Sequence, residues 1–391
     1  MWEALLKFCL DSASLPDKQR HDLIHGVPIL FTANVQKELE RAASNLPPES
    51  AAKVKPVLQE LSDLRTRYEE QKEEYPIGLG PIEKIFRQVR DGEISEQEGE
   101  HQAVEPRVVL SLGPLYVQAL SAFNLTTARE GQWRDAALMQ KLLVLALKTF
   151  ERTGSMGDAL PNAVLNWIEI VHVYVYQLPD PRLFRNAIEE GEALIAAQKD
   201  GNDALVGEVS HRLGTLHLDP YAARNSLHYD TQMSQWRQRF YDSVGPAIAQ
   251  LASADRDMPE PLVALAKAED YLRRAAKLRT GTRRGQSLKA LAQAIQWQVI
   301  LGKEDRKEDF VRACTEAMQA LAPQESPQEW VSVLNMRGAG ASPEERETLD
   351  RILSTSWDSH VAKIGMRYTL DLISQSAQFF YNNDAPERCL R

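Results

Sequence analysis

Cysteine is scarce in this sequence. Cys9, Cys314 and Cys389 are the only three in 391 residues, and they lie far apart along the chain. An odd number of cysteines without a CxxC pair argues against a disulfide framework and against the ligand spacing of a zinc finger. This usage is typical of proteins in a reducing compartment. We therefore expect a cytoplasmic protein that holds no structural metal ion.

Long hydrophobic runs are also lacking. The most apolar long stretch, Val164 to Leu178, contains Glu169 and His172. It falls short of the roughly 20 apolar residues that a membrane-spanning helix needs. At the start of the sequence, Glu3 stands where a signal peptide would carry basic residues. The sequence therefore predicts no membrane partner and no secretion signal.

Catalytic and cofactor-binding motifs are absent as well. The sequence contains no HExxH, GxSxG or Walker pattern. The glycine- and proline-rich segment from Pro76 to Pro81 follows no strand pattern and precedes no Gly-Lys-Ser or Gly-Lys-Thr, so it is not a phosphate-binding loop. We expect a protein that is not an enzyme, with no catalytic residues and no cofactor.

Charge is plentiful, with an excess of acidic residues. The chain has 55 acidic and 46 basic residues and a formal net charge of −9, which disfavours nucleic acid as a partner. The segment from Lys267 to Lys289 is the exception, because basic residues dominate it. Such a patch attracts acidic peptide segments or phosphate groups. The alternative is favourable basic charge at a helix C-terminus that continues into a solvated loop.

Nearly every segment has the hydrophobic spacing of an α-helix, and almost none alternates like a strand. The helices come in pairs with short loops, and the pairs recur roughly every 40 residues, which is typical of an α-solenoid. The predicted fold is all-α. It has an N-terminal helical hairpin in residues 1–75, helix pairs in residues 76–240, and further pairs with a C-terminal helix in residues 241–391.

Local signals predict several helix boundaries. Asp219 before Pro220 predicts a helix end, because the residue before a proline is pushed out of the helical region. Residues 337–346 have the composition of a polar loop, and residues 359–380 the pattern of one long final helix. The pair Leu213-Gly214 predicts that a neighbouring helix comes close, since glycine has no side chain to keep it away.

Several segments resemble degenerate tetratricopeptide repeats. In that repeat the first helix carries a bulky residue, Leu-Gly or Leu-Ala and an aromatic residue, and the second helix carries small residues. The matching positions are Leu213, Gly214 and His217; Trp167, Ile170, Val171 and Tyr174; and Ala313, Ala317 and Ala320 before Pro323. No unit satisfies the whole pattern. The resemblance implies a right-handed α-solenoid that binds a protein or peptide on its concave wall.

The order of segments is similar to the helical repeat half of bacterial proteins that join tetratricopeptide repeats to a CHAT (caspase-like) peptidase domain. An N-terminal hairpin, the GPIEKIF…DGEIS helix and the RLGTLHLDPY element carry this resemblance. The peptidase half, with its strands, its histidine and its cysteine, is missing from the sequence. Cys389 lies in a polar tail. The resemblance implies a sensing or docking half without its catalytic domain.

Two histidine clusters are candidate metal sites, and we interpret both as structural. His211 and His217 are six residues apart, so on a helix they point some 120° apart. His21 and His25 share one helix face, but no third ligand lies nearby in the sequence. Cys314 lies beside alanines without an adjacent base, which favours a packed thiol over a nucleophile.

The sequence therefore predicts a cytoplasmic scaffold that binds a protein or peptide partner, with an acidic partner favoured. The candidate partner-binding residues are Asn162, Asn166, His211, Arg212, Arg274, Arg279, Arg283 and Arg284. The alternative function is a regulatory or sensor subunit, or a fragment, of a bacterial CHAT-type peptidase or defence assembly. In that case the chain would associate with a peptidase.

Overall fold

Helices make up the regular structure of this chain. The computed structural model describes residues 2–70, 80–151, 157–175, 181–198, 201–233, 260–338 and 341–382, and no strand occurs among these residues. The all-α class predicted from the hydrophobic spacing is therefore confirmed. The chain divides into two compact units, Met1–Tyr174 and Val175–Arg391. The boundaries predicted at residues 75/76 and 240/241 both lie outside the described residues.

The first unit contains ten α-helices in its described part. They are α1 (Trp2–Ser12), α2 (Asp17–His25), α3 (Ala33–Ala43), α4 (Pro48–Arg65), α5 (Pro81–Arg90), α6 (Glu96–Ala103), α7 (Pro106–Val109), α8 (Pro114–Arg129), α9 (Trp133–Glu151) and α10 (Ala159–Val175). A 3-10 helix, Pro28–Phe31, precedes α3, and a π-helical turn, Thr66–Glu70, follows α4. The predicted N-terminal hairpin corresponds to α3 and α4, which pack against each other.

Helix α9 is central to the packing of the first unit. Helices α5, α6, α7 and α8 all pack against it. Its buried side chains are apolar around most of the helix, as expected for a helix that has neighbours on several sides. The exception is Gln140, which is fully buried and donates a hydrogen bond to the backbone oxygen of Ala163 at 2.8 Å. Its amide therefore joins α9 to α10.

The second unit contains nine α-helices in its described part. They are α11 (Pro181–Ala197), α12 (Asp203–Met233), α13 (Pro261–Leu278), α14 (Gly281–Ile300), α15 (Lys307–Ala320), α16 (Pro327–Arg337), α17 (Pro343–Ser354), α18 (Trp357–Ile364) and α19 (Met366–Asn382). From α11 to α16 each helix packs against the next one in the chain, and α12 also packs against α14. Helix α19 packs against α16 and α18.

Proline starts many of these helices. A proline lacks the N–H that the first turn of a helix leaves unpaired, and its fixed φ suits that position. The helices with proline in the first turn and a described N-terminal neighbour are α4, α5, α7, α8, α13, α16 and α17. Helix α4 thus begins at Pro48, directly after Pro47, and α5 begins at Pro81.

The predicted helix end at Asp219 and Pro220 is wrong. Helix α12 continues from Asp203 to Met233. A proline removes one backbone hydrogen bond and disfavours the helical region for the residue before it, but neither effect forbids a helix that neighbouring helices support. Helix α4 likewise contains Pro56 in its interior.

Two predictions about the end of the chain are also wrong. The predicted long final helix is divided into α18 and α19 at Gly365, whose φ is +82°. This left-handed value favours glycine and ends a helix. The predicted polar loop of residues 337–346 contains the start of α17, where Ser342 and Glu345 form a capping box. The Ser-x-x-Glu pattern was the available signal for that helix.

Candidate binding surface around the α13–α14 turn

Glycine residues of α12 bring that helix close to α13. A Cβ atom added to Gly214 would lie 2.5 Å from Cγ of Leu272, and one added to Gly207 would lie 3.1 Å from Cγ of Arg279. Any larger residue at Gly214 would push the two helices apart. The predicted close approach at Leu213-Gly214 is therefore confirmed, and it sets the distance between the polar side chains of α12 and the end of α13.

A short turn connects α13 to α14. Arg279 follows the last residue of α13 in an extended conformation, and its backbone N–H donates to the oxygen of Ala275 at 2.8 Å. Thr280 is extended as well, and Gly281, with φ of +54°, begins α14. The turn therefore carries the last basic residues of α13 directly to the first basic residues of α14.

The side chain of Arg279 lies inside the unit. It is 8% exposed, and its Nη1 donates to Oγ of Ser287 at 2.8 Å. Its Nη2 lies 3.3 Å from Oε2 of Glu208 on α12. Burial lowers the pKa of Arg279, and the nearby cations Arg283 and Arg212 lower it further, while Glu208 raises it. Arg279 thus ties the turn to α12 and α14.

Two other predicted site residues, His211 and Arg212, contact the same partners as Arg279, namely Ser287 and Glu208. We call these five residues the internal cluster. Nδ1 of His211 lies 3.1 Å from Oγ of Ser287, so this histidine joins α12 to α14. Nε of Arg212 lies 3.4 Å from Oε1 of Glu208. His211, Arg212 and Arg279 therefore lie close together, and the contacts described for them are with other residues of the chain.

Sequence reasoning missed the two residues that hold this cluster together, Glu208 and Ser287. The spacing of Glu208 and Arg212, four residues apart on one helix, is a recognisable ion-pair signal. Nothing in the sequence marks Ser287, because its role depends on the approach of α14 to α12.

Four basic side chains near the turn remain exposed. Arg274 and Lys277 lie in the last turns of α13, and Arg283 and Arg284 lie in the first turn of α14. We call these four residues the α13–α14 basic surface. Within the described part of the chain no ion pair involves any of them, whereas Arg273 and Lys289 pair with Glu269 and Glu329. Four exposed cations without an ion pair in the described residues thus lie close to the turn.

The remaining two predicted site residues lie on α10 in the first unit. Asn162 is exposed and Asn166 is half-buried. Four residues apart, they share one face of that helix. The α13–α14 basic surface belongs to the second unit.

The histidine clusters are part of the packing. Both ring nitrogens of His25 have hydrogen-bond partners, with Nε2 at 2.9 Å from the Tyr68 hydroxyl and Nδ1 at 2.9 Å from the backbone oxygen of His21. Nδ1 of His21 lies 3.2 Å from Oε1 of Glu60. His217 is 1% exposed and packs against Phe184 and Tyr271. Among the described residues no group of three or more histidine, cysteine or acidic side chains could hold a metal ion.

The described cysteines are buried thiols. Cys9 and Cys314 are both fully buried, and burial raises the pKa of each thiol to about 12. A thiol with such a pKa stays protonated at neutral pH and is a poor nucleophile. Cys389 lies outside the described residues.

Comparisons with family models, with curated proteins and with solved structures find no match to this chain. The tetratricopeptide and CHAT resemblances therefore stay predictions from the sequence. Across the described ranges, every helix is too short or too polar to cross a membrane.

Proposed function

We propose that this chain is a non-enzymatic protein-interaction scaffold that binds an acidic segment of a partner protein at the α13–α14 basic surface. The observation that carries the proposal is the exposed set Arg274, Lys277, Arg283 and Arg284, without ion pairs in the described residues of a chain whose net charge is −9. Arginine and lysine in such a setting attract carboxylates and speed association with acidic surfaces.

The same proposal includes a right-handed solenoid arrangement, of tetratricopeptide-like type, for the helix pairs of the second unit. It is supported by the packing of α11 to α16 in chain order and by the contact of α12 with α14. Small residues at the helix contacts support it too, since Cβ atoms on Gly214 and Gly285 would collide with Leu272 and Leu321. Stacked helix pairs of this type provide extended binding surfaces. A cytoplasmic location is part of the proposal, on the strength of the few cysteines.

The contacts of Arg279 hold the α13–α14 basic surface in place before a partner binds. Arg279 is buried against Glu208 and Ser287, so the turn that carries the exposed cations is held on two sides. A rigid surface loses less conformational entropy when a partner binds. The alternative function is that of a regulatory or sensor subunit that associates with a CHAT-type peptidase.

Affinity capture with matched variants tests this function. The full chain, the triple variant Arg274→Gln/Arg283→Gln/Arg284→Gln and the control Lys303→Gln/Lys307→Gln/Lys363→Gln are used as baits in a lysate of the organism that encodes the chain. All six substituted residues are exposed, and both variants change the net charge equally. We expect proteins that the parent chain and the control retain and the first variant loses. Identical retention by all three baits, or no specific protein, would contradict the proposal.

A further inference from the structure

An open groove of about 490 Å³ lies in the first unit between α5 on one side and α6 and α7 on the other. Its volume falls within the range of ligand-binding pockets, roughly 300–1,000 Å³. The groove is in a different unit from the α13–α14 basic surface and shares no residue with it.

Three cations line the groove. Lys84 and Arg87 belong to α5, and Arg107 belongs to α7, so positive charge lies on both walls. All three side chains are exposed. In the described residues Lys84 and Arg87 form no ion pair, and Arg107 pairs with Glu105 at 2.7 Å. Arg107 is exposed and Glu105 is half-buried. Ion pairs that solvent reaches stabilise a protein by about 1 kcal/mol or less, so a ligand carboxylate can replace Glu105.

The other lining residues suit a peptide. Gln88 on α5 and Gln102 on α6 are half-buried, and each amide can both donate and accept a hydrogen bond. The buried side chains of Ile85 and Val108 add apolar surface. None of the residues that line this groove, all of them described, is acidic.

We infer that this groove is a second binding site, which takes an acidic peptide segment of a partner protein. Carboxylates of the peptide bind Lys84, Arg87 and Arg107, an apolar side chain between them packs on Ile85 and Val108, and the glutamines bind the peptide backbone. Charge complementarity selects this occupant, because the groove collects three cations and no acidic residue in a chain with net charge −9.

A defined peptide tests the inference. The probe is a fluorescein-labelled hexapeptide of alternating glutamate and leucine, titrated with the full-length chain and followed by fluorescence anisotropy. We expect the double variant Lys84→Gln/Arg87→Gln to weaken binding about tenfold, as the loss of two charge-assisted contacts implies. The variant Gln88→Glu, which places a negative charge in the groove with little change in shape, should weaken binding as well.

The matched control is Lys53→Gln/Lys55→Gln on α4, which removes the same charge from two exposed lysines of the same unit. It should leave the affinity unchanged, and a hexapeptide of alternating glutamine and leucine should not bind. Equal affinity for the groove variants and the parent chain would overturn the inference. So would competition by inorganic phosphate or citrate at the peptide's own concentration, since the site would then take small anions. If only the Arg274→Gln/Arg283→Gln/Arg284→Gln variant lost binding, the peptide would bind the α13–α14 basic surface and not the groove, which would also overturn the inference.

Discussion

The ring of Tyr271 lies nearly parallel to the ring of His217, with the centroids 5.8 Å apart and the planes inclined by 12°. Phe184 meets the same imidazole edge-on at 5.6 Å, and His217 is 1% exposed. The Tyr271 hydroxyl donates to Glu192 at 2.5 Å. Burial, with a smaller effect of Lys267, lowers the pKa of His217 to about 4. The imidazole is therefore a neutral core residue at pH 7.

This burial makes the stability of the second unit depend on pH. The pKa of His217 is about 4 in the folded chain and 6.5 for an ordinary histidine, so the unfolded chain takes up the proton first as the pH falls. The stability present above pH 6.5 is lost progressively between pH 6.5 and pH 4. Between pH 7 and pH 5 the free energy of unfolding should fall by about 2 kcal/mol on this account.

Urea denaturation of the parent chain and of His217→Phe at the two pH values measures the effect. Phenylalanine keeps an aromatic ring against Tyr271 and Phe184 but does not titrate. The variant should therefore lack the part of the pH dependence that His217 supplies. Identical pH profiles for the two proteins would show that His217 does not titrate as its burial requires.

Glu269 connects three helical segments through one carboxylate. Arg306 donates to it with both Nη atoms, at 2.7 and 2.9 Å, and Gln298 and Arg273 donate at 2.9 Å each. Burial raises the pKa of Glu269, but the hydrogen bonds from Arg306, Gln298 and Arg273 outweigh it and hold the pKa at about 2. The carboxylate is thus charged under all mild conditions.

The substitution Glu269→Gln should therefore destabilise the second unit. It removes one of the two carboxylates that bind Arg306, the other being that of Asp309, and the loss should be about 2 kcal/mol, less than for a fully buried pair because Arg306 is partly exposed. The matched control is Glu304→Gln, which removes an exposed partner of Lys307 and should change the stability by less than about 0.5 kcal/mol. Thermal unfolding of both variants checks the prediction, and equal melting temperatures would contradict it.

Gly214 is predicted to tolerate no side chain. Alanine favours a helix by about 1 kcal/mol over glycine, so a solvent-exposed site would gain stability from Gly214→Ala. Here the new Cβ would lie 2.5 Å from Cγ of Leu272, and overpacking of this kind costs about 1–3 kcal/mol. We expect net destabilisation.

A double-mutant cycle with Leu272→Ala tests whether a steric clash with Leu272 causes the destabilisation expected for Gly214→Ala. Removing Cγ of Leu272 makes room for the new methyl group, so Gly214→Ala should cost less in that background than in the parent chain. If the two substitutions change the free energy of unfolding additively in denaturation experiments, the new methyl group does not clash with Leu272.

Binding at the α13–α14 basic surface should weaken with salt. Ionic strength shortens the screening length from about 10 Å at 0.1 M to about 3 Å at 1 M, so exposed cations lose most of their attraction for carboxylates. Proteins retained by the parent chain should elute over this range, and the small amount retained by Arg274→Gln/Arg283→Gln/Arg284→Gln should change little. Salt-independent retention would indicate an apolar contact instead.

The hydrophobic spacing was sufficient to predict the all-α class and most helices. It did not predict the break at Gly365, because the apolar spacing continues on both sides of a single residue with positive φ. The proline signal predicted a helix end at Asp219 and Pro220, but α12 continues to Met233. Local sequence signals thus predict most helical segments, but they do not predict the effects of tertiary contacts.

The candidate site was predicted in part. The basic segment from Lys267 to Lys289 was recognised, and Arg274, Arg283 and Arg284 are exposed in it. The burial of Arg279 was not predictable, because its partner Glu208 lies on another helix far away in the sequence. Ion pairs between helices depend on packing distances that one sequence does not contain.

Site-specific photocrosslinking from the basic surface shows whether an acidic segment of a partner protein binds there. A benzoylphenylalanine at Gln286, which is half-buried one turn after Arg283, keeps all four cations in place. A second chain carries the same group at exposed Glu308 on α15. We expect the captured partner to crosslink to position 286 and not to position 308, through a peptide rich in aspartate and glutamate. Crosslinking at position 308 alone, or to a segment without acidic residues, would contradict it.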